Sequence, residues 1–270
     1  MKKPAGCRLR LTLCVAAWIT ASAADASPLS GSAELTAGDA GYLRHGLSLG
    51  VRGAGVRYEA YDDANTPHPI HLFGADIGRA IGPARITLTG ESIPGADGYR
   101  MHGGGGELEW TPREPQRRGL FALNSWRVGG LLKEHTETIG GEPGQVVTMR
   151  SYGELRGAGG PFALRLMAVK VGFAPHHGPL PILRHVRLPG VLRAEMGTYP
   201  DYSFLLESVL AYGGWEPFAR YVYTGYKLDA PDAHYLALGL RRSAGTAVIS
   251  AELQGEPGAG TVAFRLRAAR

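Results

Sequence analysis

Thr246-Ala247-Val248-Ile249-Ser250-Ala251-Glu252-Leu253-Gln254 alternates with a period of two. Ala247, Ile249, Ala251 and Leu253 fall on one face; Thr246, Ser250, Glu252 and Gln254 fall with Val248 on the other. Successive side chains of a strand point to opposite sides, so the stretch predicts a β-strand with one apolar and one polar face. Thr261–Ala268 repeats the pattern, with Val262, Phe264, Leu266 and Ala268 opposing Thr261, Ala263, Arg265 and Arg267. Between them, Gly255-Glu256-Pro257-Gly258-Ala259-Gly260 has the composition of a reverse turn. The two segments predict neighbouring antiparallel strands.

Working outward, the same texture extends upstream. Phe204, Leu206, Leu210 and Tyr212 share a face opposite Glu207; Ala219, Tyr221 and Tyr223 oppose Arg220, Val222 and Thr224. Leu236, Leu238 and Leu240 oppose Tyr235, Ala237, Gly239 and Arg241. Further strands are predicted around Leu47–Val51, Val56–Tyr61, Ile70–Ala80, Arg85–Ser92, Glu107–Thr111, Leu120–Leu132, Val146–Leu155, Phe162–Phe173 and Val191–Thr198. Asp62–Pro69, Gly95–Gly106, Pro112–Arg118 and Ala174–Pro189 read as loops. Gly and Pro interrupt every long window, and no helical spacing persists for three turns. The uniform texture implies one domain over 42–270, after a Ser-, Ala- and Gly-rich flexible segment at 27–41.

Residues 1–26 have the order of a secretory signal peptide. Lys2, Lys3, Arg8 and Arg10 precede the apolar run Leu11–Ala21, and small residues follow at Ala21-Ser22-Ala23 and Ala24-Asp25-Ala26. Cleavage after residue 26 removes four of 29 basic and one of 24 acidic residues, so the formal charge falls from +5 to +2. That small charge gives no ground for a nucleic-acid partner. Both cysteines, Cys7 and Cys14, lie in the same segment, which leaves the mature chain without a disulfide or a thiolate. The expected setting is the bacterial envelope: outer membrane, or alternatively periplasm or medium.

Alternation fits two architectures. A soluble sandwich buries the apolar face, whereas a membrane barrel turns it to lipid and lines its lumen with polar side chains. Charges of both signs sit on the polar faces, including Arg52, Arg85, Glu207, Arg220, Arg241, Glu252, Arg265 and Arg267. Tyr42, Trp110, Trp126, Tyr212, Trp215 and Tyr226 fall near strand ends, as interfacial girdles require. Gly and Ala are frequent on the inward faces, which suits a crowded lumen.

On these residues, the chain from Gly41 to Arg270 resembles Gram-negative outer-membrane β-barrel proteins, at the level of pattern and without a family-specific motif. The resemblance implies an all-β antiparallel transmembrane barrel of even strand number, about twelve within a range of ten to fourteen. Partners implied by it are outer-membrane lipids, the outer-membrane assembly machinery and small solutes. The pattern departs at the C-terminus, where Arg265-Leu266-Arg267-Ala268-Ala269-Arg270 follows Phe264 in place of a terminal aromatic. A strand at Val191–Thr198 also places the long Ala174–Pro189 segment on the side of the short turns.

The eight charged residues named above are the candidate lumen set. Arginine outnumbers lysine 24 to 5, and its planar fork suits bidentate pairing with carboxylates across strands. The functional reading is a field favouring anions; the structural reading is a set of Arg–Glu pairs that hold a narrow barrel together. His68 with His71 and His176 with His177 read as polar loop residues rather than metal ligands, and Gly103–Gly106 lacks the context of a phosphate loop. No histidine has a serine two residues along a strand, and there is no G-x-S-x-G elbow. No catalytic residue, cofactor or metal follows. The expectation is a passive channel or structural envelope barrel with an Arg/Glu-lined lumen. The alternatives are an outer-membrane lipid-modifying enzyme and a soluble secreted all-β binding protein.

Overall fold

The computed structural model describes residues 29–39, 41–62, 68–96, 98–113, 116–118, 121–174, 178–181, 183, 199–227, 231–257 and 260–270. The N-terminal segment read as a signal peptide, His176, His177 and the strand expected at Val191–Thr198 lie outside them.

The described residues form fifteen strands and no helix. In chain order they are β1 (Leu29–Gly38), β2 (Leu43–Val51), β3 (Ala54–Asp62), β4 (Ile70–Ile81), β5 (Ala84–Ala96), β6 (Tyr99–Trp110), β7 (Gln116–Arg118) and β8 (Phe121–Ile139). Then come β9 (Glu142–Gly159), β10 (Phe162–Phe173), β11 (Pro200–Leu210), β12 (Trp215–Tyr226), β13 (Ala233–Ala244), β14 (Ala247–Glu256) and β15 (Thr261–Ala269). Neighbours in sequence pair antiparallel, β1 pairs with β15, and β6 pairs with β8 past β7. Fourteen strands therefore close on themselves, and β7 pairs only with the start of β8. Closure leaves no edge, so every spanning strand meets its hydrogen-bonding groups on both sides.

Fourteen exceeds the central expectation of twelve and stands at the top of the expected range, and two segments differ from their reading in the sequence. Residues 29–38, expected to be loose, form β1, which is paired from Ser32 to Gly38 with β15 and from Leu29 to Ala37 with β2. Gly95–Gly106, expected to be a loop, supplies most of β6. In both, pairing on two sides overrides the weak strand preference of Gly, Ser and Ala.

Arg52 was placed on the polar face of a strand and sits elsewhere: it occupies the β2–β3 turn at φ 47°, exposed. With Gly53 at φ 89° it makes the two-residue reversal between Val51 and Ala54. Register assigns every connection to one of two ends of the barrel. The turns at 52–53, 82–83, 160–161, 211–214 and 245–246 lie at one end with the 111–120 connection, here the turn end. The connections 63–69, 174–199 and 227–232 lie at the other, the loop end, together with the short ones at 39–42, 97–98, 140–141 and 257–260. Because β10 pairs directly with β11, the long 174–199 connection falls among the longer loops, against the earlier parity.

The faces are inverted relative to a soluble protein. Leu49, Val56, Ile77, Leu88, Leu132, Met149, Leu155, Leu166, Phe204, Leu238, Leu253 and Val262 are all exposed on the outside. Leu238 keeps 69% of its surface while Glu59 inside keeps 2%, so the buried-core sandwich fails as a description. Aromatic residues rim this band. At the turn end Trp110 stacks on Trp126 with centroids 6.4 Å apart, and the Arg242 guanidinium lies 4.6 Å from the Trp215 ring. At the loop end, Tyr58 meets His71 and Phe73, and Tyr202 and Tyr223 pack together beside Phe204 and His234. Tyr42 and Tyr226, expected in the girdles, instead join the apolar interior.

Candidate functional site in the lumen

Each of the fourteen barrel strands contributes an inward charged side chain, and strand register joins them into a belt. Glu207 on β11 lies directly opposite Arg220 on β12, and Glu252 on β14 opposite Arg265 on β15. Arg220 Nη2 reaches Glu207 at 2.6 Å and Arg220 Nη1 also pairs with Glu252. Arg265 Nη2 reaches Glu34 at 2.5 Å, and its Nη1 lies 3.8 Å from Glu252. Arg44 on β2 bridges Glu34 at 3.3 Å and Glu59 at 2.9 Å.

The next links span two strands. Arg57 on β3 crosses β4 at Gly74, which lies in register with both Arg57 and Glu91, and pairs with Glu91 on β5. Lys133 on β8 crosses β6 at Gly103, and its Nζ stands 2.6 Å from Glu91 Oε2. Tyr152 on β9 crosses β8 at Gly129 to donate to Glu107 on β6. The crossed residue is glycine each time because any side chain would occupy the path. A Cβ at Gly74 would sit 3.1 Å from Arg57 Nη2, and one at Gly129 2.6 Å from the Tyr152 hydroxyl.

The belt continues through Arg127, whose Nη1 lies 3.2 Å from Glu107 and whose Nη2 lies 3.5 Å from Glu154. Glu154 also takes Arg156 at 2.5 Å and Arg165 at 2.8 Å. Arg241 Nη2 joins Glu207 at 3.7 Å.

A cavity of about 600 Å³ lies inside, faced by ten basic and five acidic side chains. Three carboxylates behind them, Glu34, Glu59 and Glu252, leave a basic excess of two among these groups. Of the sequence candidates, Glu207, Arg220, Arg241, Glu252 and Arg265 stand in the belt, and Arg267 faces the cavity in register with Glu34. Arg85 lies on the inward face at the turn end, opposite Glu109. Arg52 is remote from all of them in its turn. The larger part of the belt was missed, namely Glu34, Arg44, Arg57, Glu59, Glu91, Glu107, Arg127, Lys133, Arg150, Glu154 and Arg165. For Arg57, Lys133 and Tyr152 the signal is a glycine in register on the adjacent strand with the partner one strand further on, a relation that only register reveals.

The charged belt runs from the turn half through the middle of the lumen; the loop half is packed mostly with apolar side chains, with His135, Glu137 and Thr224 buried among them. Tyr61, Ile70, Leu72, Ile93, Tyr99 and Met101 face inward from β3 to β6, each at most 2% exposed. Val169, Val171, Leu205, Val222 and Tyr235 form a second inward cluster from β10 to β13. Leu183, from the 174–199 connection, packs between Val146 and Tyr199, and the Tyr199 hydroxyl donates to the Pro181 carbonyl at 2.6 Å. Burial and nearby Glu137 push the Tyr199 phenol up, which keeps it a donor at neutral pH. His135 lies within β8 and joins Tyr99 at 2.7 Å and Thr148 at 3.0 Å. Among the described residues no three His, Cys, Asp or Glu side chains are grouped to hold a metal.

No protein-family model and no curated protein sequence matches the chain. Among solved structures it is similar to CdiB from Acinetobacter baumannii, at a TM-score of 0.50 and 10% identity over 90% of this chain and 60% of that one. The chain thus spans 60% of the length of that protein. OccAB1 of Acinetobacter baumannii matches at a TM-score of 0.48 and 12% identity, covering 85% of this chain and 68% of that one. The KdgM porin matches at 0.44 and 7%, covering 89% and 97%. What this chain shares with CdiB is the closed antiparallel β-barrel fold.

Proposed function

We propose that the protein is an outer-membrane channel with a preference for small anions, closed at its loop end in the conformation described. The observation that carries this reading is the axial division of the lumen. A basic vestibule of about 600 Å³ lies within the charged belt, and packed, mostly apolar side chains fill the lumen beyond it toward the loop end. An excess of fixed positive charge in a low-dielectric wall concentrates anions and repels cations. The packed, mostly apolar segment beyond it opposes the passage of ions, so conduction requires that Leu183 and its neighbours withdraw. The outer membrane is the proposed location, with its lipids and assembly machinery as partners.

The experiment is conductance in planar bilayers under a salt gradient, after fractionation and gels of boiled and unboiled samples. Anion-selective openings from a heat-modifiable, membrane-bound protein support the proposal. A second reading, a structural barrel that conducts nothing, draws on the closure of the charge belt: its carboxylates are already bound by arginine or lysine. A bilayer that stays sealed in wild type and in variants loosened at Leu183 favours that second reading.

A further inference from the structure

We propose that the outer wall across β8 to β12 carries a specific site for one anionic phospholipid, with an acyl chain in an apolar furrow and the phosphate at Lys170. The site rests on the membrane reading above and is separate from the lumen.

Two outward rows of register partners build it. The row nearer the turn end is continuous and bulky: Trp126, Leu155, Leu166, Leu206 and Tyr221. In the next row Val128 is followed by Gly153 and Ala168 before Phe204 restores the bulk. The missing side chains leave a groove of about 690 Å³ floored by Gly153 and Ala168. That volume lies within the range of roughly 300–1,000 Å³ that holds drug-sized ligands. A Cβ at Gly153 would meet no atom within 4 Å, so its openness is a property of the outer surface and not of strand packing. One row further toward the loop end stand Gly130, Ser151 and Lys170, again in register, so the furrow continues past small residues to an ammonium.

Charge selects the occupant. Lys170 Nζ lies 2.8 Å from Asp201 Oδ2, and Lys227 Nζ 3.3 Å from Asp201 Oδ1, so two cations share one carboxylate and leave one positive charge. Lys170 lies 5.8 Å from the Tyr202 ring, within the aromatic rim where headgroups reside. At that depth a lysine is tolerated in a lipid-facing wall, and its ammonium can meet a headgroup. A furrow that fits a chain, ending at a net cation at headgroup depth, matches a lipid bearing a phosphate.

The test uses the full protein in detergent, stripped of lipid and then titrated with dioleoylphosphatidylglycerol or dioleoylphosphatidylcholine, with retained lipid counted by native mass spectrometry. Wild type is expected to retain one phosphatidylglycerol in preference to phosphatidylcholine. Lys170→Gln should weaken that retention about fivefold, the scale of one basic side chain at an anionic surface. Gly153→Leu should abolish it while the folded band on unboiled gels persists, and Leu236→Ala, on β13 outside the groove, should change nothing. Equal retention of both lipids, or wild-type retention by Gly153→Leu, overturns the site. So does a change from dimer to monomer in Gly153→Leu with lipid retention intact, which would assign the groove to a second copy of the chain. A protein that stays soluble without detergent would instead remove the membrane reading itself.

Discussion

Lys133 on β8 and Glu91 on β5 meet at 2.6 Å across the bare backbone of Gly103 on the strand between them. Both side chains are more than nine-tenths buried, and Arg57 reaches the same carboxylate from the opposite side across Gly74. A charge network that reaches over strands needs glycine at each crossing, and this couples the sequence of one strand to the electrostatics of its two neighbours.

Gly103→Ala is therefore expected to destabilise the barrel. Its Cβ would collide with the Leu132 carbonyl and come within 2.8 Å of Lys133 Cγ. Overpacking of this kind costs about 1–3 kcal/mol. Gly104→Ala, one residue along and on the outer face, meets its nearest atom, the Thr89 carbonyl oxygen, at 3.4 Å and should be close to neutral. Urea unfolding in detergent micelles, followed by the loss of the heat-modifiable band, measures the difference. Equal stability of the two variants would refute the crossing role.

Glu91→Gln leaves the buried Lys133 beside a neutral amide, while the half-buried Arg57 keeps Glu59 at 3.3 Å. Removing one partner of a buried pair costs about 3–5 kcal/mol, much of it from the charge left behind. Lys133→Met in the same chain should recover part of that loss, with a coupling of about 0.5–3 kcal/mol in a double-mutant cycle. Additive effects would mean that the 2.6 Å contact contributes nothing of its own.

How far the sequence carried this description depends on which face is examined. Strands such as β14 and β15 were legible because Ile249, Leu253, Val262 and Phe264 advertise their outer face. The same alternation marks an all-β antiparallel fold and puts Glu207, Arg220, Glu252 and Arg265 on the face opposite the apolar one, while the choice of barrel over sandwich drew on the charges and aromatics as well. β1 and β6 were not legible, since Gly, Ser and Ala have little preference of their own and are held by pairing on both sides. Arg52 misled because a two-residue reversal extends the apparent alternation by one position past Val51. The partners of Lys133, Arg57 and Tyr152 lie two strands away, a relation that exists only after register is set.

Selectivity should follow the small basic excess of the lumen. With two positive charges in surplus, Arg267→Glu cancels it, because the exchange moves the balance by two. Arg267 is exposed to the cavity at the turn half, so the change leaves the Glu252–Arg265 register pair in place. The reversal potential in a salt gradient is expected to move from anion-preferring to near zero, and to shrink in wild type as salt approaches 1 M, where screening acts over about 3 Å. An unchanged reversal potential in Arg267→Glu would show that these charges do not face the ion path.

The loop end should control whether current flows at all. Leu183 is buried between Val146 and Tyr199, and the Tyr199 hydroxyl ties the same connection to the Pro181 carbonyl at 2.6 Å. Tyr199→Phe removes one hydrogen bond, about 1 kcal/mol, which corresponds to roughly a fivefold rise in the population with the connection released. Leu183→Ser removes apolar packing as well and buries a hydroxyl in its place, so its effect should be the larger. Single-channel records are expected to show more frequent openings in the order wild type, Tyr199→Phe, Leu183→Ser, with the selectivity of the charged vestibule unchanged. If both variants gate as wild type does, the barrier lies with the inward apolar residues of the wall, Ile70, Leu72 and Val222 among them, and not with the connection.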